Sequence, residues 1–373
     1  MSSSATSTGG GNSKNPFAWL GLLKWSLSYA DGTRDETPAP MSAEDKAFLE
    51  KVMAEGIINE GDRMQEILKN VTDVMTEWKT KPWTQEQADE TESWLQELRD
   101  IVEQIDYARA FSSMKGSVFL LGCIQERDHV PRSTRMLCLG ILATMAANNP
   151  PIQKELLELG SIKTLSEVYF QEDQQDDSSN SDSDGKLRAR FMQALSAAIR
   201  SHDLAEQVFC QTEQAVPLLE SGLGVDKGED DTPIMLRQRS LFLLRALVTS
   251  DSATRERLVQ FARCLGFVVD TFTAAEHDDQ LREMSLALLQ QILEQKKCVN
   301  IALQRKNTLV ARGVQRVTAL RALTGEDKDC AALELEHWEN ILVLLSRAVP
   351  DLPEGVNSPS LMLPPSETPN LPQ

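Results

Sequence analysis

Four histidines (His129, His202, His277, His337) and six cysteines (Cys123, Cys138, Cys210, Cys264, Cys298, Cys330) are the side chains that could hold a soft metal or act as nucleophiles. Their spacing supports neither role. No HxxxH, HExxH or CxxC occurs, and the closest two cysteines, Cys123 and Cys138, stand fifteen residues apart. Gly9–Gly11 belongs to a low-complexity leader, and GLGVDKG at 222–228 lacks the GxxxxGK[ST] order that cradles phosphate. No GxSxG elbow is present. The sequence therefore predicts a protein that is not an enzyme, with no catalytic residue, no metal and no cofactor. The cysteines read as small apolar residues of helices kept reduced in a cytosolic protein.

The chemistry left is recognition, and it depends on a repeated helix. In Leu95–Ile105 (LQELRDIVEQI) the apolar residues Leu95, Leu98, Ile101 and Val102 have offsets 0, 3, 6 and 7. The same template fits Leu139, Leu142, Met145 and Ala146, then Met192, Leu195, Ala198 and Ile199. It fits again at Leu241, Leu244, Leu247 and Val248, and at Leu286, Leu289, Ile292 and Leu293. At about 100° per residue these offsets share one side of a helix. The second residue advances from 98 to 142, 195, 244 and 289, in steps of 44, 53, 49 and 45. That period predicts an all-α armadillo or HEAT-like right-handed solenoid of four to five repeats, each burying its face on its neighbours.

Offsets 1, 5, 8 and 9 point away from that core, and in such an array they line the concave groove. They are Gln96, Asp100, Glu103 and Gln104; Gly140, Thr144, Ala147 and Asn148; Gln193, Ala197, Arg200 and Ser201; Phe242, Ala246, Thr249 and Ser250; and Ala287, Gln291, Glu294 and Gln295. Most are small or uncharged, whereas a merely solvated face carries more Lys and Glu. A protein-binding groove fits this composition; small residues relieving crowding on the inside of a curved stack also fit.

Net charge is −18 over 373 residues, with 41% hydrophobic and 5% aromatic residues. The charge argues against nucleic acid and against anionic membranes. No stretch reaches the roughly 18 apolar residues of a membrane span. The expected location is cytoplasmic, with the nucleus as a second compartment, and the expected state is a monomer. Residues 1–14 read as a disordered leader, 15–36 as an apolar segment with a linker, and 37–84 as N-terminal helices capping the array. One of these helices is expected at about Glu60–Trp78, with Met64, Ile67, Leu68, Val71 and Met75 on one face. Residues 85–349 read as the array, with acidic loop insertions at 172–185 and 222–233, and 350–373 as a disordered Pro-rich tail. Glycines 116, 160 and 266 are expected just past helix ends, and Cys330–Ala348 as a closing helix or pair. The segment Phe17–Tyr29, with Phe17, Trp19, Leu22, Leu23 and Trp25, has three readings. It is a helix docked on the array, an exposed peptide gripped by a partner, or a helix lying on a membrane; one Lys and no basic face weigh against the last.

Several stretches resemble one family, the armadillo-type nucleotide exchange factors of the 70-kDa heat-shock chaperone, the Hsp70-binding-protein-1 and Fes1-like group. They are Leu22–Ser26 (LLKWS), Pro40–Met41–Ser42 followed by Phe48–Leu49, and Glu103–Ala108 (EQIDYA) with Phe111 and Gly116. The last is similar to the family's E-N-M-D-N-A-x-x-F, with Gln104 and Tyr107 in place of Asn. Thr144–Asn148 (TMAAN), Leu195–Ser196 and Ile199–Arg200 resemble later repeats. The acidic insertion, the loop at 222–233 and the longer tail depart from the pattern. The resemblance implies a concave face that wraps one lobe of the chaperone's nucleotide-binding domain, opens the ADP clamp and speeds ADP release. Carried over to this chain, it points to Asp100, Gln104, Tyr107, Thr144, Asn148, Arg200 and Ser201 as partner-binding residues. It also makes Phe17–Leu27 a candidate client-release segment. The alternative is an armadillo adaptor for extended basic peptides. Such adaptors resemble one another in a groove Asn ladder, and here offset 5 holds Asp100, Thr144, Ala197, Ala246 and Gln291.

Overall fold

Thr84 begins the array with a reciprocal cap. Its hydroxyl accepts from the Gln87 N–H at 3.3 Å, and the Gln87 side chain accepts from the Thr84 N–H at 3.1 Å. The computed structural model describes residues 60–173, 185–226, 232–274, 278–296 and 298–348. The chain divides into two compact units, Met1–Asn70 and Val71–Gln373. Every regular element among the described residues is helical.

Helix α1 (Glu60–Trp78) has the bounds expected, with Met64, Ile67, Val71, Met75 and Trp78 buried. After the Thr84 cap the elements are α2 (Gln85–Ile101), α3 (Ile105–Ser113), α4 (Gly116–Gln125) and α5 (Arg132–Ala146). Next come α6 (Pro150–Glu158), α7 (Ser161–Asp173), α8 (Lys186–Ile199), α9 (Asp203–Gln211), α10 (Ala215–Leu223) and α11 (Ile234–Thr249). The second half holds α12 (Arg255–Gln260), α13 (Ala262–Asp270), a 3₁₀ turn at Phe272–Ala274 and α14 (Asp279–Glu294). It finishes with α15 (Val299–Gln304), α16 (Lys306–Arg321), α17 (Glu326–Cys330) and α18 (Ala332–Arg347).

The five template sets lie on or at the ends of α2, α5, α8, α11 and α14, and all of their residues are buried. Two shorter helices separate each from the next, so the unit is a triplet whose third helix is the longest or nearly so. Third helices pack in succession, α2 on α5, α5 on α8, α8 on α11, α11 on α14 and α14 on α18. Helix α18 extends the template to a sixth copy, with Trp338, Ile341 and Leu345 buried at offsets 0, 3 and 7.

A second periodicity runs along the same helices. Four residues before the second to fifth template starts stand Arg135, Arg188, Arg237 and Arg282, whereas the first has Thr91 there. Arg135, Arg237 and Arg282 are buried. Arg135 donates to Glu172 at 2.7 Å, and Arg127 reaches the same carboxylate at 2.7 Å. Arg237 lies over the Phe272 ring, 5.9 Å from its centroid. Arg282 donates to Glu334 at 2.8 Å, and Arg316 joins that carboxylate at 2.6 Å. A buried guanidinium requires such partners, because stripping its water without them costs several kcal/mol. Arg135, Arg237 and Arg282 thus each tie a third helix to a later element.

Some expectations need correction. Glu172 belongs to α7 and is buried between two arginines, so the first insertion begins later than 172. Gly222 and Leu223 belong to α10, and the left-handed cap is Gly224, so the second insertion is also shorter. Of the three glycines placed past helix ends, only Gly160 holds that position, with φ +69°. Gly116 opens α4 because a Cβ there would fall inside the Phe111 ring, and Gly266 is inside α13 against Arg305. The segments 1–14, 15–36 and 350–373, and with them Phe17, Trp19, Leu22, Leu23 and Trp25, lie outside the described residues.

Candidate interaction surface

The outward offsets of the third helices form a stripe in which the expected residues hold different positions. Asp100 is exposed at the end of α2, 3.3 Å from its neighbour Arg99. Gln104 is exposed and caps α3 without a side-chain bond, and Tyr107 is half-buried on α3. Thr144 is half-buried on α5. Asn148 and Ser201 are exposed but serve the backbone as well. Each follows the C-cap of a third helix with positive φ, 53° and 61°. Asn tolerates that left-handed conformation better than most residues. Lys296, after α14, repeats it with φ 55°.

Arg200 is the best-formed feature of the seven. It caps α8, is half-buried, and places its guanidinium 4.7 Å above the Phe242 ring on α11. Phe242 keeps 37% of its surface exposed, so the stacked pair presents a flat face and a charge together. Next along, Arg245 donates to Gln291 at 3.2 Å and Gln295 to the Thr249 carbonyl at 3.4 Å, joining α11 to α14 through side chains of the stripe. Gly140 and Ala197, by contrast, are buried despite their outward offsets. There the small side chain answers to packing: Gln153 on α6 donates to the Ala197 and Arg200 carbonyls at 2.8 and 2.9 Å.

Extending the template upstream would have found more of the surface. Offset −2 lies near offsets 1 and 5 on the helix, and it holds Ser93, Leu137, Arg190, Arg239 and Met284. Asp89, Glu92, Gln96 and Asp100 of α2, Leu137 of α5 and Arg190 of α8 line an open cleft of about 650 Å³. Its α2 wall carries the carboxylates, and Arg190 is the one charged residue lining the far wall. Burial, together with the charges of Arg239 and Arg99, holds Arg190 below the ordinary arginine value.

Among the described residues no group of His, Cys, Asp and Glu could hold a metal. Among the described residues no cysteine forms a disulfide; burial pushes Cys264 up to about 12 and Cys210 to about 11, far from a reactive thiolate. Among the described residues no helix is long and apolar enough to cross a membrane.

The EQIDYA stretch with Phe111 and Gly116 now has a structural reason: Glu103–Ala108 turns α2 into α3, and the Phe111 ring lies over Gly116 where α3 meets α4. Comparison with protein families places the α2–α3 turn and Phe111, but not Gly116, inside a recognised region. Residues 20–111 match the family described as nucleotide exchange factor Fes1. The Fes1-like resemblance read from the sequence is borne out. Among curated relatives, Hsp70-binding protein 1 of Rattus norvegicus is 24% identical over 199 residues, 52% of each chain. Hsp70 nucleotide exchange factor FES1 of Gibberella zeae is 22% identical over 188 residues, 50% of this chain and 79% of that one. The chain thus spans about half the length of the Hsp70-binding protein 1 relatives it matches. Of solved structures, a designed armadillo repeat protein superposes with TM-score 0.50 and 13% identity, covering 75% of this chain and 99% of its own. The all-α armadillo architecture is therefore shown, and the Fes1-like region contains its first third helix, α2.

Proposed function

We propose that this chain is a nucleotide exchange factor for the 70-kDa heat-shock chaperone, acting by binding and without catalysis. The outward stripe, in a chain whose residues 20–111 match Fes1, carries this reading. In it the stripe grips the chaperone's nucleotide-binding domain in an opened form, ADP leaves faster, ATP rebinds and the client is released. The stripe can shift the chaperone only by the difference between its affinities for the open and closed forms. The protein works in the cytoplasm and nucleus, as a monomer, with neither nucleic acid nor membrane as a partner. Residues 85–349 are the binding body, with Asp100, Gln104, Tyr107, Thr144, Asn148, Arg200 and Ser201 on its contact surface. Phe17, Trp19, Leu22, Leu23 and Trp25 promote client release.

Stopped-flow release of fluorescent ADP from the cytosolic 70-kDa chaperone tests this. Acceleration of about tenfold or more supports it, where a tenfold change is about 1.4 kcal/mol in the barrier. Binding with no acceleration would leave an armadillo adaptor, and no binding would reject the reading.

A further inference from the structure

Carboxylates outnumber basic side chains in this chain, 56 to 38. Arginines elsewhere in the array find them readily, as Arg257 does with Glu206 at 2.8 Å and Arg321 with Glu339 at 2.7 Å. Yet none of Arg190, Arg200, Arg239 and Arg245 forms an ion pair with a described residue. They stand on the adjacent helices α8 and α11, at offsets −2 and 8 on the first and −2 and 4 on the second. Their polar contacts are neutral: Arg190 with Gln193 at 2.9 Å and Arg245 with Gln291. Arg190 and Arg239 share one register on neighbouring helices, so each charge raises the cost of the other.

The surroundings bound this basic stretch. On one side are Asp89, Glu92 and Asp100 of α2, across the cleft from Arg190. On the other is exposed Glu294 at the end of α14. A nucleic acid would need a longer basic track than two helices between acidic walls. A compact cluster of carboxylates on a protein meets the arginine forks directly and shuns both walls.

We propose that Arg190 and Arg239, with Arg200 and Arg245 beside them, seat an acidic patch of the protein partner, and that the α2 carboxylates fix its orientation by repelling the reverse placement. This deepens the exchange-factor reading and rests on it for the partner's identity. The site chemistry can be tested independently.

Fluorescence anisotropy with the full chain would compare a labelled Glu-rich peptide, a Lys-rich peptide and a single-stranded oligonucleotide at low and moderate salt. The expected result is that the Glu-rich peptide binds despite the net charge, more weakly as salt rises. The double variant Arg190→Glu/Arg239→Glu should lose about tenfold or more in affinity with its melting temperature unchanged. Equal binding by wild type and the arginine double variant, or no peptide binding by wild type, overturns the proposal. So does oligonucleotide binding that is tighter than peptide binding and depends on the same arginines. With the chaperone itself, the arginine variant should bind about tenfold more weakly and with a shallower salt dependence; unchanged affinity there overturns the assignment of the partner. If the wild-type chain fails to bind the chaperone, the exchange-factor reading falls, while the peptide comparison still decides the acidic-patch proposal.

Discussion

Two rows of arginine run along the same helices, two residues apart in sequence and about 200° apart around the axis. The inner row, Arg135, Arg188, Arg237 and Arg282, is tied into the fold through Glu172, the Phe272 ring and Glu334 where its contacts are described. The outer pair, Arg190 and Arg239, has no carboxylate among the described residues. The residue type is the same and the surroundings differ. Arginine that turns inward is matched by the chain itself and belongs to stability. Arg190 and Arg239, which turn outward without such a match, are left for another molecule. In an acidic protein that distinction says more about function than net charge does, because −18 by itself points only away from nucleic acid and anionic membranes.

The sharpest way to break this comparison is to remove an inner partner. Glu334 is 2% exposed and holds both Arg282 and Arg316. Glu334→Ala should cost about 3–5 kcal/mol in urea unfolding, the usual cost of stranding a buried charge. Burial alone would raise the Glu334 carboxyl, but the hydrogen bonds and charges of Arg316 and Arg282 outweigh it and hold it below its ordinary 4.5. A depressed carboxyl stabilises the fold above the unfolded value and loses that contribution as pH falls through the folded one. The wild-type chain should therefore lose stability below about pH 4.5, and the variant should show a flatter acid limb. An equally steep limb in both would mean the pair contributes little.

Gly116→Ala should come next, at about 1–3 kcal/mol, because the new methyl must displace the Phe111 ring. Thermal unfolding followed by circular dichroism measures it, and a neutral outcome would mean the corner can open. Arg200→Glu should lower ADP-release acceleration by roughly tenfold, as a single interface charge placed against its partner does. Its stability cost should stay near the roughly 0.5–1 kcal/mol of an exposed cation–π contact. Smallest of all, Arg239→Ala should change unfolding free energy by less than about 0.5 kcal/mol. A large loss there would erase the difference between the two rows.

The array was legible in sequence because its signal is local. Leu98, Leu142, Leu195, Leu244 and Leu289 mark one helix face each, and the Thr84 boundary follows from Pro82 and a polar start. Helix α16 escaped because its buried residues, Leu309, Gly313, Val317 and Leu320, include only three apolar side chains. Its position depends on Trp338 in α18, which packs over Gly313 and so leaves no pattern within α16 itself. The inner arginines escaped for a related reason: a periodicity count treats Arg282 as polar, and only Glu334, 52 residues on, makes it a core residue. On the surface, Arg200 was found within the template and Arg190 was missed because the template stopped short upstream. Asn148 and Ser201 carry a second duty at helix ends, so Arg200 and Arg239 are the cleaner residues to alter in binding tests.

Arg257 bears on how such an array can lengthen or shorten in evolution. It sits in the first helix of one triplet, yet it neutralises Glu206 in the preceding triplet and donates to the Leu247 carbonyl at 3.4 Å. A duplication or deletion with its breakpoint between α11 and α12 would carry Glu206 away from its cation. Viable exchanges of units would then have their seams after α12, out of step with the visible repeat, so the heritable module and the architectural one need not coincide.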